Sequence, residues 1–335
     1  MSNSTDKIDI VITWVDGNDP EWRASKAEWE KKIKGIDDSM NGDLRYRDWE
    51  NLQYLFRGIE TFMPWVNKVH FVTWGHLPSW LNTDCPKLNI VNHTDYIPEK
   101  YLPTFNSNTL DLNFHRIPGI ADKFLYFNDD MFVIQKSEPE DFFLNGLPRD
   151  IAVLSPAPVF RDVICNIEIN NLGIINDYFT LDDVKKNKKK WYTLKYGKFL
   201  PRTIIFSKFK SIIGIFEPHV PFPHLKSTLE ELWEKEYDEL DKTCSNKFRT
   251  KEDVNEWLFR HWQIMSGKFE PRRWDFGLYT RASDPEYISG LLKNPGKTHL
   301  ICVNDSTLVT DYERSKKLIN KAFDELLPNK SMFEK

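Results

Sequence analysis

The chain of 335 residues is 40% hydrophobic and 14% aromatic, enough to bury one large core, or a core with a smaller insertion. Its formal net charge of -4, from 46 Lys plus Arg against 50 Asp plus Glu, exerts no global pull on nucleic acid; any bound anion must be met by a local group of cations. Cys85, Cys165, Cys244 and Cys302 are far apart with no C-x-x-C pair, which excludes a patterned zinc site or disulfide framework and suits a reducing cytosol.

The opening MSNSTDKIDI lacks a basic stretch followed by an apolar run, and no later segment holds the roughly 18 uninterrupted apolar residues of a spanning helix. The expectation is a cytoplasmic protein that reaches the inner face of a membrane only as a peripheral one. Ile8 to Val15, IDIVITWV, reads as a buried first strand running into the turn chemistry of Asp16 to Pro20. A polar, Lys-rich connection comes next. Trp49 to Phe62 carries Leu52, Leu55, Phe56, Ile59 and Phe62 at helical spacing and stops before Pro64. Val69 to Thr73, Leu88 to Val91 and Phe124 to Phe127 are further short apolar runs, with a helix expected over Asn108 to Phe114.

Strands alternating with helices predict an α/β, Rossmann-like fold with a mainly parallel sheet over residues 1–155. Ligands of such sheets bind at the carboxyl ends of the strands. From about Pro156 to Pro295 the rhythm weakens, and a largely helical insertion is expected, with helices over Glu230 to Leu240 and Asp253 to Met265. Thr298 to Val303 and Ser306 to Leu327 then read as a strand and helix that complete the core over 296–335.

Several groups can carry chemistry. Asn128-Asp129-Asp130 ends an apolar strand, and adjacent carboxylates there suit a divalent cation held against a diphosphate; a plain turn fits equally on the motif alone. Glu217-Pro-His219-Val-Pro-Phe-Pro-His224 sets two histidines in a Pro-restricted loop, where one can serve as a general base. Asn246-Lys-Phe-Arg249 offers a guanidinium to phosphate, although a solvated surface explains it as well. The lysines from Lys185 to Lys198 read as a solvated face, with attraction to anionic lipid as the lesser alternative. Neither G-x-x-x-x-G-K-[ST] nor G-x-G-x-x-G occurs, which leaves ATP hydrolysis and dinucleotide redox chemistry unsupported.

Longer strings are more specific. Ile8-Asp-Ile-Val-Ile-Thr-Trp-Val-Asp-Gly-Asn-Asp-Pro20 resembles the first signature of the Stealth family of hexose-1-phosphate transferases. The second is matched from Arg45-Tyr-Arg-Asp48 through Leu102-Pro-Thr-Phe-Asn-Ser107 and His115-Arg116-Ile117 to Asn128-Asp-Asp-Met-Phe132. Pro218-His-Val-Pro221 with Asn246-Lys-Phe-Arg249 is similar to the third, and Leu300-Ile-Cys-Val-Asn-Asp305 to the fourth.

The resemblance implies His219 as base, Arg249 on donor phosphate, and Asp129 and Asp130 as holders of Mg2+ or Mn2+. It implies donor-site roles for Asp9, Trp14, Asp16, Arg45, Asn106, His115, Arg116, Asn128, Asn304 and Asp305. The implied reaction moves a hexose 1-phosphate, as for an N-acetylhexosamine, from a UDP-sugar to an oligosaccharide or lipid-linked glycan, with release of UMP. A conventional metal-dependent glycosyltransferase releasing UDP and a non-catalytic carbohydrate-binding protein stand as alternatives.

Overall fold

In the computed structural model, which describes residues 7–37 and 41–335, the run IDIVIT forms β1 (Ile8–Thr13). The leader reading of residues 1–6 lies outside that range. β1 pairs in parallel with β2 (Val69–Thr73) and β4 (Lys123–Asn128), in registers that set Ile10 beside Val69 and Ile8 beside Lys123. β3 (Leu88–Asn92) extends the sheet in parallel beyond β2.

Each central strand is apolar on both faces because both faces are covered. Ile8, Ile10 and Ile12 pack with Leu55, Phe56 and Ile59 of the helix Leu52–Phe62 and with Ile319 and Phe323 of the helix Tyr312–Leu326. Val11 faces the other way, toward Leu112, Leu229, Leu258 and Trp262. The result is the expected α/β architecture, a mainly parallel sheet between helical layers.

β5 (Met131–Val133) leaves the main sheet after a two-residue turn at Asp129 and Asp130 and joins a second one. There it lies antiparallel to β11 (Leu300–Asn304), which runs parallel to β10 (Gly277–Arg281). A third small sheet joins β6 (Phe143–Leu144), β7 (Leu147–Asp150) and β9 (Glu270–Pro271).

The stretch 156–295 is rich in helix but does not stand apart from the core. Its β8 (Phe222–Leu225) pairs antiparallel with β4 and completes the order β3-β2-β1-β4-β8. β8 reads FPHL, too short and Pro-broken for a pattern signal, and Pro223 fits there because β8 is an edge strand.

Two helices arise where the sequence reads as loop or begin later than expected. Pro20–Lys32 starts on Asp19, whose carboxylate accepts from Trp22 N–H at 2.7 Å, with Pro20 in the first turn. The helix expected from Asp253 begins at Trp257, because Asp253 and Asn255 spend their side chains on loop contacts. All four cysteines are buried free thiols, and no described helix is long and apolar enough to cross a membrane.

The helix Trp257–Met265 carries the fully buried Arg260. Its Nε and Nη2 donate to the two Asp150 oxygens at 2.8 and 3.0 Å, and Nη2 also reaches Ile151 O at 2.9 Å. Nη1 donates to Phe216 O at 2.9 Å and Glu217 Oε2 at 3.1 Å. Breaking a buried ion pair from one side leaves uncompensated charge. Arg260→Met is expected to cost about 3–5 kcal/mol, read as a lower urea midpoint at unchanged slope.

Candidate active site

The carboxyl ends of β1, β4 and β11 open on a cavity of about 690 Å3, a size suited to a ligand larger than a single sugar. β1 supplies Thr13 and, just past its end, Trp14, which stacks on Phe71 at 5.7 Å between ring centroids. β4 supplies Asn128 and the Asp129-Asp130 turn, and β11 supplies Asn304. The turn sits where the chain passes from one sheet to the other, and Val303 N–H clamps it by donating to Asp130 O at 2.8 Å.

Charge in this turn is only partly compensated. Asp129 is open to the cavity but crowded by protein on its other sides. That loss of water, and then the Asp130 charge, push its pKa up to about 7. Asp130 accepts from the buried Cys302 thiol at 3.3 Å through Oδ2, while its Oδ1 is buried without a partner. One ligand atom each from Asp130, His219 and Cys302 lie within 4.8 Å of one another. An orphaned carboxylate oxygen with an imidazole and a thiol close by is a donor set that fits a divalent cation.

His219 enters from the opposite wall with its backbone in the left-handed region, φ 48°, a conformation that favours glycine and is held here by its surroundings. Glu217, two residues earlier, is tied to Arg260. Burial alone would raise the Glu217 pKa, but Arg260 and His261 outweigh it and keep the carboxyl below its ordinary range. The His219 ring lies edge-on to Tyr279 and Trp257 at 5.8 and 6.3 Å.

Two guanidiniums share the cavity. Burial, and then repulsion from Arg249, lower the pKa of Arg45. Arg249 Nε donates to Ser107 Oγ at 3.0 Å. The loop that carries it is organised by Asp253, which accepts from Asn106 and Asn246 side chains at 2.8 and 2.7 Å and from Thr250 Oγ1 at 2.8 Å. Like charges held together at a cavity wall make a place for an anion.

Of the residues singled out from sequence, Trp14, Arg45, Asn106, Asn128, Asp129, Asp130, His219, Arg249 and Asn304 all line this cavity. Five do not. Asp9 is fully buried at the other end of β1, accepting from Asn67, His70 and Ala121 N–H at 2.7, 3.0 and 2.8 Å. Burial works to raise its pKa, yet those bonds hold it below the usual carboxylate value.

Asp16 caps the turn after β1, accepting from Asn18 N–H at 2.8 Å. His115 packs on Trp233, and burial lowers its pKa to about 3; the Arg116 guanidinium lies over the same ring. Asp305 is consumed by Arg47, with Nε 2.7 Å away, and by Trp49 Nε1 at 3.0 Å. His224, the second histidine of the Pro-rich loop, is buried in β8 against Phe124, and burial lowers its pKa to about 3.

The cavity also holds carboxyls that sequence reading missed. Asp111 and Glu256 form a buried pair: burial raises Asp111 to about 7 and raises Glu256 well above its ordinary value. Tyr126 OH lies 3.0 Å from Asp111 Oδ1 and 2.5 Å from Asn128 Oδ1. A protonated Asp111 can donate to Tyr126, which frees the tyrosine proton for Asn128 beneath the acidic turn. Glu168 is raised to about 7 by burial and by Glu217 and Asp162. The available signal was an acid flanked by apolar neighbours, as in Leu110-Asp111-Leu112 and Glu256-Trp257.

Paired carboxylates, two guanidiniums and an imidazole at strand ends give the cavity the make-up of an α/β transferase. Residues 6–34 match conserved region 1 of the Stealth proteins and residues 45–150 match conserved region 2. Capsular polysaccharide phosphotransferase WcwK of Streptococcus pneumoniae is 40% identical over 332 residues, 98% of each chain. Receptor polysaccharide phosphotransferase WefC of Streptococcus gordonii is 40% identical, covering 98% of this chain and 99% of its own. Exopolysaccharide phosphotransferase cps2G of Lactiplantibacillus plantarum is 33% identical, with 98% and 96% covered. A solved galactosyltransferase, LgtC, aligns over 93% of this chain at 9% identity with a TM-score of 0.39, too remote to bear on mechanism. The chain belongs to the Stealth family of polysaccharide phosphotransferases.

The raised Asp111 carboxyl has a consequence for stability. The folded protein keeps its proton up to about pH 7, whereas the unfolded chain releases it near the ordinary value of 3.8. Between those limits the native state binds more protons, so this group lowers stability as pH rises. Asp111→Asn is expected to gain on the parent as pH rises through that window, measured as paired urea midpoints across the pH series.

Proposed function

We propose that the protein transfers a hexose 1-phosphate from a UDP-sugar to a sugar hydroxyl, joining the two sugars through a phosphodiester and releasing UMP. The observation that carries this reading is the convergence of Arg45, Arg249, Asp129, Asp130 and His219 on one cavity. His219 takes the proton of the acceptor hydroxyl, whose oxygen attacks the phosphorus next to the donor sugar. The bond from that phosphorus to the bridging oxygen breaks, and the electron pair leaves with UMP. The sugar keeps its anomeric oxygen throughout.

Arg249 and Arg45 bind the phosphate oxygens and stabilise charge where it develops, which is the main demand of displacement at phosphorus. Asp129 and Asp130 would hold a Mg2+ or Mn2+ ion, which neutralises the diphosphate when bound. Relatives named for capsular, receptor and exopolysaccharides support a growing cell-surface glycan as acceptor. We take that glycan as lipid-linked at the inner face of the cell membrane, and the donor sugar as an N-acetylhexosamine.

The test is to incubate purified protein with a panel of UDP-sugars, glycan acceptors and Mg2+ or Mn2+, and to identify the nucleotide released. UMP with phosphorus retained in the product is the expected result; UDP would show attack at the anomeric carbon and end this reading. His219→Ala is expected to lower turnover by roughly 10^2 to 10^4-fold, and Arg249→Lys by about 10^2-fold or more. A chelator is expected to abolish turnover, and added Mg2+ or Mn2+ to restore it.

A further inference from the structure

The segment from Pro156 to Lys210 gathers most of the large aliphatic and phenylalanine side chains exposed on this protein. Leu194 is 89% exposed, Val159 81%, Phe160 70%, Ile205 55%, Phe209 51% and Ile204 46%. Parts of this segment are also brought together in space. Ala157 N–H donates to Ile213 O at 2.9 Å and Ser155 N–H to Gly214 O at 3.1 Å, which lays 155–160 along the end of the 200–214 stretch. In the helix Leu200–Phe206, Thr203 is buried and its Oγ1 accepts from Leu154 N–H at 3.1 Å. Arg202, Ile204 and Ile205 consequently project from the outer side. Phe206 holds Phe209 by ring contact at 5.5 Å.

The charge of the later part of this segment is one-sided. No carboxylate stands between Asp183 and Glu217, although the chain as a whole is acidic. Lys195, Lys198, Arg202, Lys208 and Lys210 are all exposed. Lys198 and Arg202 lean over the Phe199 ring at 5.3 and 5.0 Å, and Arg202 Nη1 donates to Ser155 Oγ at 3.1 Å. Exposed aliphatic groups interspersed with cations, along a stretch that holds no carboxylate from 184 to 216, are complementary to a surface both apolar and anionic. An acidic protein surface meets the charges but leaves Leu194, Ile204 and Ile205 without an apolar depth to enter.

We propose that this lobe docks on an anionic phospholipid bilayer, with Leu194, Ile204, Ile205 and Phe209 dipping between headgroups and the surrounding cations on lipid phosphates. The cavity is next to the docked face, since Ser155, Pro156 and Pro158 line it just before Val159 and Phe160 turn outward. An acceptor anchored in the same leaflet then needs no diffusion through bulk water to reach His219. That last step rests on the phosphotransfer reading; the docking itself does not.

The experiment is flotation of the full chain with phosphatidylcholine vesicles, with or without phosphatidylglycerol, at low and high salt. Binding is expected only with the anionic lipid and is expected to weaken with salt. Ile204→Ser with Ile205→Ser, and separately Lys208→Glu with Lys210→Glu, are each expected to reduce it at least tenfold, roughly fivefold for each cation lost. Both proteins should keep the parent's circular dichroism and its turnover with a soluble acceptor.

Equal binding to pure phosphatidylcholine, no binding by the parent, or undiminished binding by the isoleucine pair overturns the proposal. Tight capture of soluble poly-glutamate that survives loss of both isoleucines overturns it in favour of an acidic protein partner. If the parent binds anionic vesicles but never releases UMP, the reaction fails and the docking surface stands.

Discussion

A guanidinium removed from water must find five acceptors, and Arg260 finds them on two separate parts of the chain, which it joins to its own helix. Asp150 ends β7 and Ile151 is the next residue, Phe216 and Glu217 lie on the approach to His219, and Arg260 itself belongs to the helix that covers one face of the sheet. His219 sits in a backbone conformation that its residue type disfavours. Such a position persists only where its surroundings over-determine it. The buried ion pair two residues upstream is that constraint, and it sets the register of the cavity's far wall.

The near wall depends on a change of sheet. β4 belongs to the main sheet and β5 to the second, so the chain turns sharply at Asp129 and Asp130 and cannot bury either carboxylate in regular pairing. Both acids are left at a cavity that also holds Asp111, Glu168 and Glu256, several of them driven toward neutrality by burial and mutual repulsion. Perturbed acids of this kind concentrate at functional sites, because a protein optimised for stability alone would replace them. Arg45 and Arg249 face the opposite difficulty. A ligand carrying phosphate together with a divalent cation relieves both at once.

The parallel core was legible because its strands are continuous β-branched or aromatic runs and its main helix keeps a clear apolar stripe, as at Leu52, Leu55, Phe56 and Ile59. The acidic turn was legible because it interrupts such a run at Asn128. β8 was not, since four residues with a central proline carry no period. Asp9, His115, Arg116 and Asp305 show the limit of motif matching: a string brings residues that lie away from the cavity along with those that line it. Asp9 ties β1 to β2 and to the start of β4 through His70, Asn67 and Ala121, work that has nothing to do with ligand. Asp111 and Glu256 lay outside the motifs altogether, and only the three-dimensional pairing reveals them.

The order of strands also bears on synthesis. Strand β4 acquires its outer neighbour only from Phe222–Leu225, and β5 acquires its own from Leu300–Asn304. A chain emerging from the ribosome therefore carries an unpaired apolar edge on β4 for nearly a hundred residues of further elongation. Trp14 and Asp130, made early, meet Arg249 and Asn304 only when most of the polypeptide is out. The cavity therefore does not exist in the nascent chain until that late closure, and unfinished chains lack the walls that Arg249 and Asn304 supply.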